Sequence, residues 1–409
     1  TGFNMAALGH SQWRWLPLIQ IADLAGSYAV SFLVILVAAC FARCLPIDGR
    51  RWAAWPLLPA AAAFIAVLAY GYWRLDHAAG RPGPTIALIQ GSIDTELKDD
   101  PVKRRQIYPH YFALSQQAVD REPELDLIVW PETMYRDSLL SLSDDAIAPP
   151  TWPATLDEIR EEVPRRKQLI AEQAHLLGTP LLLGLDYLHL GPRGVDHYNS
   201  ALFVSRDGVL GPRYDKTHPV PFGEFMPLAR RFEWLAELSP IGAGIDWGTD
   251  VPVFQVAETR LAANICYESA IPHLIREQVA TLRDKGEEPD ILVNLTNDGW
   301  FRGSSELDLH LTCAVYRAVE CRKPFLIAAN TGFSAWIDSD GRIIERGPRR
   351  EADVIIAKPR LDDRRSPYLA LGDWPAGICL FLTCCVGMFG LGKASGRRKP
   401  PGGTIDSPA

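Results

Sequence analysis

Residues 260–269 read RLAANICYES. Positions 261–265 form a run of strand length broken only by Asn264, and the residues after Cys266 read as the start of a helix. Similar runs recur at 84–91, 125–130, 180–188, 200–205, 290–295 and 324–330. Each is apolar at successive positions, as a strand covered on both faces must be. Amphipathic stretches at 101–122, 165–177, 270–285 and 305–322 alternate with them, and Gly178 and Gly286 stop two of these helices. FSAWIDSDGRII, at 333–344, predicts a hairpin turning at Ser339, Asp340 and Gly341. The segment 133–164 has no clear period and predicts an irregular loop. Strands alternating with helices predict an α/β layered domain.

Reactive side chains stand at three strand ends. Glu132 follows the apolar LIVW and Pro131, Lys216 follows the strand and turn at 200–213, and Cys266 ends the run quoted above. Taken singly, a surface Glu, a surface Lys and a buried Cys are ordinary. Together they have a chemical logic. A thiol attacking a carbonyl needs a base for its proton, and a carboxylate serves when burial raises its pKa. The tetrahedral intermediate carries a negative oxygen, which a fixed ammonium stabilises in a dry site. His218 is the alternative base of a Cys–His pair, but its place between Lys216 and Pro219 favours loop packing. His273 and His310 fall on predicted helices. His310 and Cys313 are one turn apart, yet no second pair completes a metal site, so no metal is expected.

The ends of the chain differ from its middle. Over 409 residues, 47% hydrophobic and 22% charged, the composition excludes a disordered or collagen-like chain. A net charge of −7 gives a nucleic-acid partner no electrostatic support. Three stretches carry no charge at all: 24–42, 52–73 and 374–392. Each is about long enough to cross a hydrocarbon core of roughly 30 Å as a helix. Trp52, Trp55, Tyr70, Tyr72, Trp73 and Trp374 lie near their ends, as an interfacial belt would. Pro56 and Pro59 are expected to bend or shorten the second span. Arg43, Arg50 and Arg51, against Asp48, separate the first two spans, and Lys393, Arg397, Arg398 and Lys399 follow the third. The positive-inside rule puts both basic sets in the cytoplasm. Residues 1–23 then form an extracytoplasmic loop and the middle domain lies outside the cytoplasm. The Gly/Pro/Ser-rich tail 393–409 is expected to be disordered.

The eight cysteines make no disulfide framework, because five lie in or beside the apolar spans. Cys313 and Cys321 share one predicted helix at a separation of about 12 Å, too far to bridge. Residue 1 is Thr, and no signal peptide is evident.

From about 84 to 360 the chain resembles the nitrilase superfamily of carbon–nitrogen hydrolases. WPE (130–132), YDKTHPVPFGE (214–224), ICYE (265–268), NLTNDGWF (294–301) and NTGFSAWIDSDGRI (330–343) are similar to that family's patterns and stand in its order. PLIQIADLAGSYAVSFLVILV (17–37), AYGYWRL (69–75) and GDWP (372–375) narrow the resemblance to the apolipoprotein N-acyltransferase family. The likeness is to that family's later part. Its earlier membrane helices are absent from these residues, which implies a piece of a longer protein or a shorter homologue.

The resemblance implies an αββα sandwich at 84–360 in the periplasm, anchored in the inner membrane by two helices before it and one after. It implies transfer of a fatty acyl chain from a phospholipid to the free amine of an S-diacylglyceryl-cysteine apolipoprotein. Cys266 is the implied nucleophile, Glu132 the base and Lys216 the oxyanion partner. Glu224, Tyr267 and Glu268 match supporting positions. No cofactor and no nucleic acid are implied, and the protein is expected to act as a monomer. Aromatic and apolar residues at Phe222, Phe225, Met226, Leu228, Phe232, Trp234 and Leu235, with the loop 241–248, are either a membrane-facing lid or core. The triad is equally compatible with a membrane-tethered amidase or nitrilase, and an inactive membrane homologue is the third reading.

Overall fold

The computed structural model describes residues 4–46, 51–77, 80–93, 101–150, 152–229, 231–239, 241 and 244–396. Four helices come first: α1 (Leu16–Ile19), α2 (Ala22–Ala25), α3 (Ser27–Cys44) and α4 (Leu57–Asp76). The first half of the domain follows as β1 (Gly80–Pro82), β2 (Ile86–Gln90), α5 (Pro101–Arg121), β3 (Leu127–Val129) and β4 (Tyr135–Leu142). It continues with α6 (Leu156–Leu177), β5 (Leu181–Gly191), β6 (Gly194–Val204) and β7 (Leu210–Asp215). The second half runs α7 (Glu233–Glu237), β8 (Phe254–Val256), β9 (Thr259–Ile265), α8 (Pro272–Asp284), β10 (Ile291–Thr296) and α9 (Glu306–Cys321). β11 (Phe325–Ala329), β12 (Ala335–Ile337), β13 (Ile343–Arg346), β14 (Asp353–Ala357), β15 (Arg360–Asp362), α10 (Pro367–Leu371) and α11 (Trp374–Gly396) complete it.

Two sheets stack between two helical layers. One has the order β14-β2-β3-β5-β6-β7, with β4 added to β5, and the other the order β13-β12-β11-β10-β9-β8. The apolar runs explain the layering. Ile86, Leu88, Leu127 and Val129 pack against Leu261, Ala263, Ile265, Val293 and Leu295 between the sheets. Their alternate neighbours Ala87, Ile89 and Ile128 pack outward with Ile107 and Tyr111 of α5 and Ile170 and Ala174 of α6. On the far side, Ala262 and Leu292 pack with Ile275 and Val279 of α8 and Leu311 and Val315 of α9. Strands apolar on both faces can be satisfied only in this way. The predicted α/β layered domain is therefore present as an αββα sandwich. β2, β3 and β5 are parallel, as are β9, β10 and β11, so their carboxyl ends gather at one rim.

The expected loop at 133–164 instead contains β4 and the start of α6. β4 was hidden because the consecutive polar residues Arg136, Asp137 and Ser138 break a period of two. α6 starts at a capping box, in which Thr155 and Glu158 satisfy each other's backbone N–H, and it continues through Pro164. Residues 4–25 are also not a simple loop. They form short helical turns laid over α9, with Met5, Leu18, Ile19 and Ala22 buried.

Among the described residues, two helices are long and apolar enough to cross a membrane, Ser27–Cys44 and Leu57–Asp76. Phe32, Ile35, Phe41, Leu58, Ile65 and Tyr72 on them are exposed, unlike the apolar residues of a core helix. The first begins later than its charge-free stretch because Gly26, with φ of 68°, breaks the backbone ahead of Ser27. Pro56 caps the second and Pro59 lies in its first turn, where no intrahelical N–H bond is lost, so neither bends it. α11 is apolar over Trp374–Phe389 and exposes Leu380, Phe381, Val386 and Phe389. Asp48, Arg50 and the tail 397–409 lie outside the described residues, as does the Lys393 side chain.

Candidate active site

Cys266 follows β9 at the rim where the parallel strands end. Its φ is 53°, a left-handed conformation that costs a non-glycine residue free energy. The turn is held by local bonds. The Ile265 N–H donates to Glu268 Oε2 at 2.7 Å, and the Cys266 carbonyl accepts from Asn294 Nδ2 and from Ser269 Oγ, each at 3.1 Å. Such strain persists only where its surroundings impose it.

Glu132, beyond the end of β3, and Lys216, directly after β7, arrive at the same rim. Lys216 is fully buried, and its Nζ lies 3.3 Å from Glu132 Oε1 and 2.6 Å from Glu224 Oε1. Glu132 is also held by Asn199 Nδ2 at 2.7 Å and by the Asn297 N–H at 3.0 Å. Glu224 is held in turn by the Val220 N–H at 2.8 Å. A side chain at Gly184 would come within 2.2 Å of the Pro131 carbonyl oxygen and 2.7 Å of Glu132 Cα, so the Glu132 backbone needs a glycine beside it.

Burial opposes the charge on Lys216, but Glu132, Cys266 and Glu224 outweigh it and hold the ammonium above its ordinary range. Cys266 moves the other way from reactivity. Burial pushes its thiol pKa well up, Glu132 adds to this, and Lys216 only partly offsets it. The thiol at rest is therefore protonated and depends on a base to become a nucleophile.

Glu268 is buried and accepts five bonds: from the N–H groups of Ile265, Thr217 and His218, and from the hydroxyls of Thr217 and Tyr214. Tyr267 packs with Met5, Ala270 and Cys313. His218 joins the site through its backbone bond to Glu268, and burial lowers its imidazole pKa. His273 lies on α8. His310 and Cys313 do not share a ligand. Cys313 packs among apolar side chains, while His310 bonds Asp298 at 2.9 Å. No cluster of three or more His, Cys, Asp or Glu side chains suited to a metal occurs among the described residues. Asn199 on β6 and Asn297 after β10 carry no mark in the sequence, because an asparagine side chain or a backbone N–H has no meaning until its partner is known.

Large apolar side chains ring the lysine loop. Phe222, Leu228, Phe232 and Trp234 are exposed, and Phe225 packs edge-on against Trp247. Phe222 and Leu228 have positive φ. The Leu235 side chain and residues 242–243 lie outside the described residues.

Residues 85–366 match the carbon–nitrogen hydrolase family, and residues 1–40 match the apolipoprotein N-acyltransferase N-terminal domain. An apolipoprotein N-acyltransferase of Rhodopirellula baltica is 32% identical over 94% of this chain and 73% of its own length. One of Geobacter metallireducens is 33% identical over 93% of this chain and 68% of its own. A solved nitrilase-superfamily structure from Saccharomyces cerevisiae is 17% identical, covers 72% of this chain and 97% of its own, and gives a TM-score of 0.46.

Proposed function

The chain belongs to the carbon–nitrogen hydrolase family and, within it, to the apolipoprotein N-acyltransferases, and from that membership we propose a two-step acyl transfer at Cys266. Glu132 takes the thiol proton as Cys266 attacks the ester carbonyl of a phospholipid. The oxyanion forms beside Lys216. As it collapses, the ester C–O bond breaks, the proton passes from Glu132 to the departing alkoxide, and the acyl group stays on Cys266 as a thioester. The α-amine of an S-diacylglyceryl-cysteine apolipoprotein then attacks the thioester. Glu132 accepts the amine proton and returns it to the sulfur, leaving an amide and the free thiol.

The observation that carries this reading is the buried Lys216, ion-paired to Glu132 and Glu224 at the rim that also presents Cys266. In a dry site a fixed ammonium stabilises a developing oxyanion without reorganising. Glu224 keeps Lys216 oriented, and Glu268 with Tyr267 supports the nucleophile turn.

A lipid donor accounts for the apolar surfaces. α3, α4 and α11 anchor the domain 84–360 at the inner membrane, with Arg43 and Arg51 on the cytoplasmic side and the domain on the periplasmic side. The exposed Phe222, Leu228, Phe232 and Trp234 face the lipid and guide an acyl chain to Cys266.

Incubation with a phospholipid labelled in its acyl chain tests the reading. It should give a hydroxylamine-sensitive label on Cys266 that an apolipoprotein amine discharges. Equal labelling of Cys266→Ala sinks the mechanism. Release of free fatty acid with no transfer to the amine favours a hydrolase.

A further inference from the structure

The strained turn at Cys266 is held by more than its own strand. His310, on α9, brings Nε2 to 3.2 Å from the Cys266 carbonyl oxygen and 2.7 Å from Ser269 Oγ. Its Nδ1 lies 2.9 Å from Asp298 Oδ1, which also accepts from Thr296 Oγ1 at 2.8 Å. His310 is 4% and Asp298 3% exposed, so water does not compete for these bonds. Gly332 leaves room for the pair, since a Cβ there would come within 2.2 Å of Asp298 Oδ2.

One placement of the protons gives every acceptor in this cluster a donor. Nδ1 faces a carboxylate, so it carries hydrogen. The Ser269 hydroxyl has one hydrogen, which it gives to the Cys266 carbonyl at 3.1 Å. Nε2 can then only donate, to Ser269 Oγ and the Cys266 carbonyl. Both ring nitrogens donate, and the ring is an imidazolium balanced by Asp298. A neutral ring would turn a lone pair on the carbonyl or take the serine hydrogen from it. Burial works against the imidazolium, but Asp298, the Cys266 carbonyl and Glu132 together outweigh it and raise the His310 pKa above its ordinary value.

The geometry points to His310, with Asp298 and Ser269, as a positioning assembly that clamps the Cys266 carbonyl and so holds the thiol where Glu132 can deprotonate it. The peptide after Cys266 is trans, so its carbonyl and the Tyr267 N–H point in opposite directions. Fixing the carbonyl therefore fixes the whole peptide plane beside the reacting sulfur. Released from the clamp, Cys266 can relax from its left-handed φ and carry the thiol away from its base. The acyl-transfer reading enters only in what the thiol attacks.

The test uses the full chain in detergent and two readouts. One is the rate of thioester formation from labelled phospholipid. The other is the alkylation rate of Cys266 by iodoacetamide, which needs no lipid chemistry. His310→Leu should lower both, thioester kcat by about 30-fold with KM within about twofold, the scale expected of a misplaced reacting group. His310→Gln keeps a donor within reach of the carbonyl and should recover to within about fivefold of wild type. Equal losses in the Leu and Gln variants, or wild-type rates in both, overturn the assignment. If the Leu variant does not fold, Ser269→Ala decides. A loss of about fivefold supports the clamp, and a wild-type rate overturns it. If wild type is alkylated at Cys266 yet never acylated by phospholipid, the acyl-transfer reading fails and the alkylation series still judges the clamp.

Discussion

Glu268 ties the lysine loop to the nucleophile turn: one carboxylate oxygen accepts from the Thr217 N–H at 2.7 Å, while the other holds Ile265 at 2.7 Å. Thr217 follows Lys216 and Ile265 precedes Cys266, so one buried side chain sets the spacing of the two. Its other donors are the His218 N–H and the hydroxyls of Thr217 and Tyr214. All five bonds need an acceptor. Glu268→Gln keeps the size but puts an amide NH2 where an oxygen was. The Tyr214 hydroxyl can turn to accept, but a backbone N–H cannot. The stranded N–H should cost about 1–3 kcal/mol of stability, and the displaced turn about 100-fold in thioester formation. Thermal denaturation in detergent and single-turnover acylation measure the two effects. An active, stable Gln variant would remove Glu268 from the site's support.

Glu132 is positioned by what is missing beside it. Gly184 on β5 lies against the Pro131 carbonyl and Glu132 Cα, with no space for a methyl group. Backbone contacts cannot swing aside as a side chain does. Gly184→Ala should push Glu132 off Lys216 and Asn199 and lower thioester formation by about 100-fold. Gly178→Ala is the control. Nothing lies within 4 Å of a Cβ there, and its positive φ confines the penalty to the end of α6. Comparable acylation by the two variants would show that the close approach at Gly184 does not matter to Glu132.

How much of this was readable in the chain depended on how local the cause was. β2, β9 and β10 were plain because both faces are buried and most positions are apolar. β4, whose polar residues Arg136, Asp137 and Ser138 are consecutive rather than alternate, looked like a loop. Glu132, Lys216 and Cys266 stood out as reactive groups at strand ends. Asn199, Asn297 and the His310–Asp298 pair did not, because each acquires its meaning from a partner in another element. The opening residues show the limit most clearly. Asp23 is an unremarkable acid in sequence, and its partner Arg322 comes 299 residues later.

That pairing has a cost that can be measured. Asp23 is fully buried, and its Oδ2 lies 2.6 Å from Arg322 Nη2 and 2.7 Å from Arg74 Nη2. Its Oδ1 accepts from the Tyr70 hydroxyl at 2.7 Å. The carboxylate joins α4 and the turn before α3 to α9, the helix under the nucleophile. Asp23→Asn leaves two buried guanidinium groups without their shared charge, although Asp340 still reaches Arg322 at 3.1 Å. Breaking such a pair by removing one partner costs about 3–5 kcal/mol. The variant should melt well below wild type in detergent, and Arg342→Ala, whose exposed pair with Asp338 is worth under about 1 kcal/mol, should not. Equal melting of the two would mean that the buried acid is not what holds the helices to the domain.

The imidazolium predicts a pH dependence with a definite sign. His310 has a folded pKa above the ordinary 6.5: burial lowers it, but Asp298, the bond to the Cys266 carbonyl and the charge of Glu132 together outweigh burial. Arg317, paired to Glu320 on α9, bonds the Ser269 carbonyl, and Lys216 is paired to Glu132 and Glu224. A group whose pKa is raised on folding binds its proton more tightly in the folded state. Its contribution is complete below the unfolded value and disappears as pH rises through the folded one. His310→Gln cannot titrate. The melting temperature of wild type relative to that variant should therefore be highest below pH 6.5 and fall steadily toward alkaline pH. Lys216 is held far above this window, so it stays charged in both proteins and cancels from the difference. A difference that is flat with pH would mean that folding leaves the His310 pKa unshifted. A difference that grows with pH would reverse the sign of the shift.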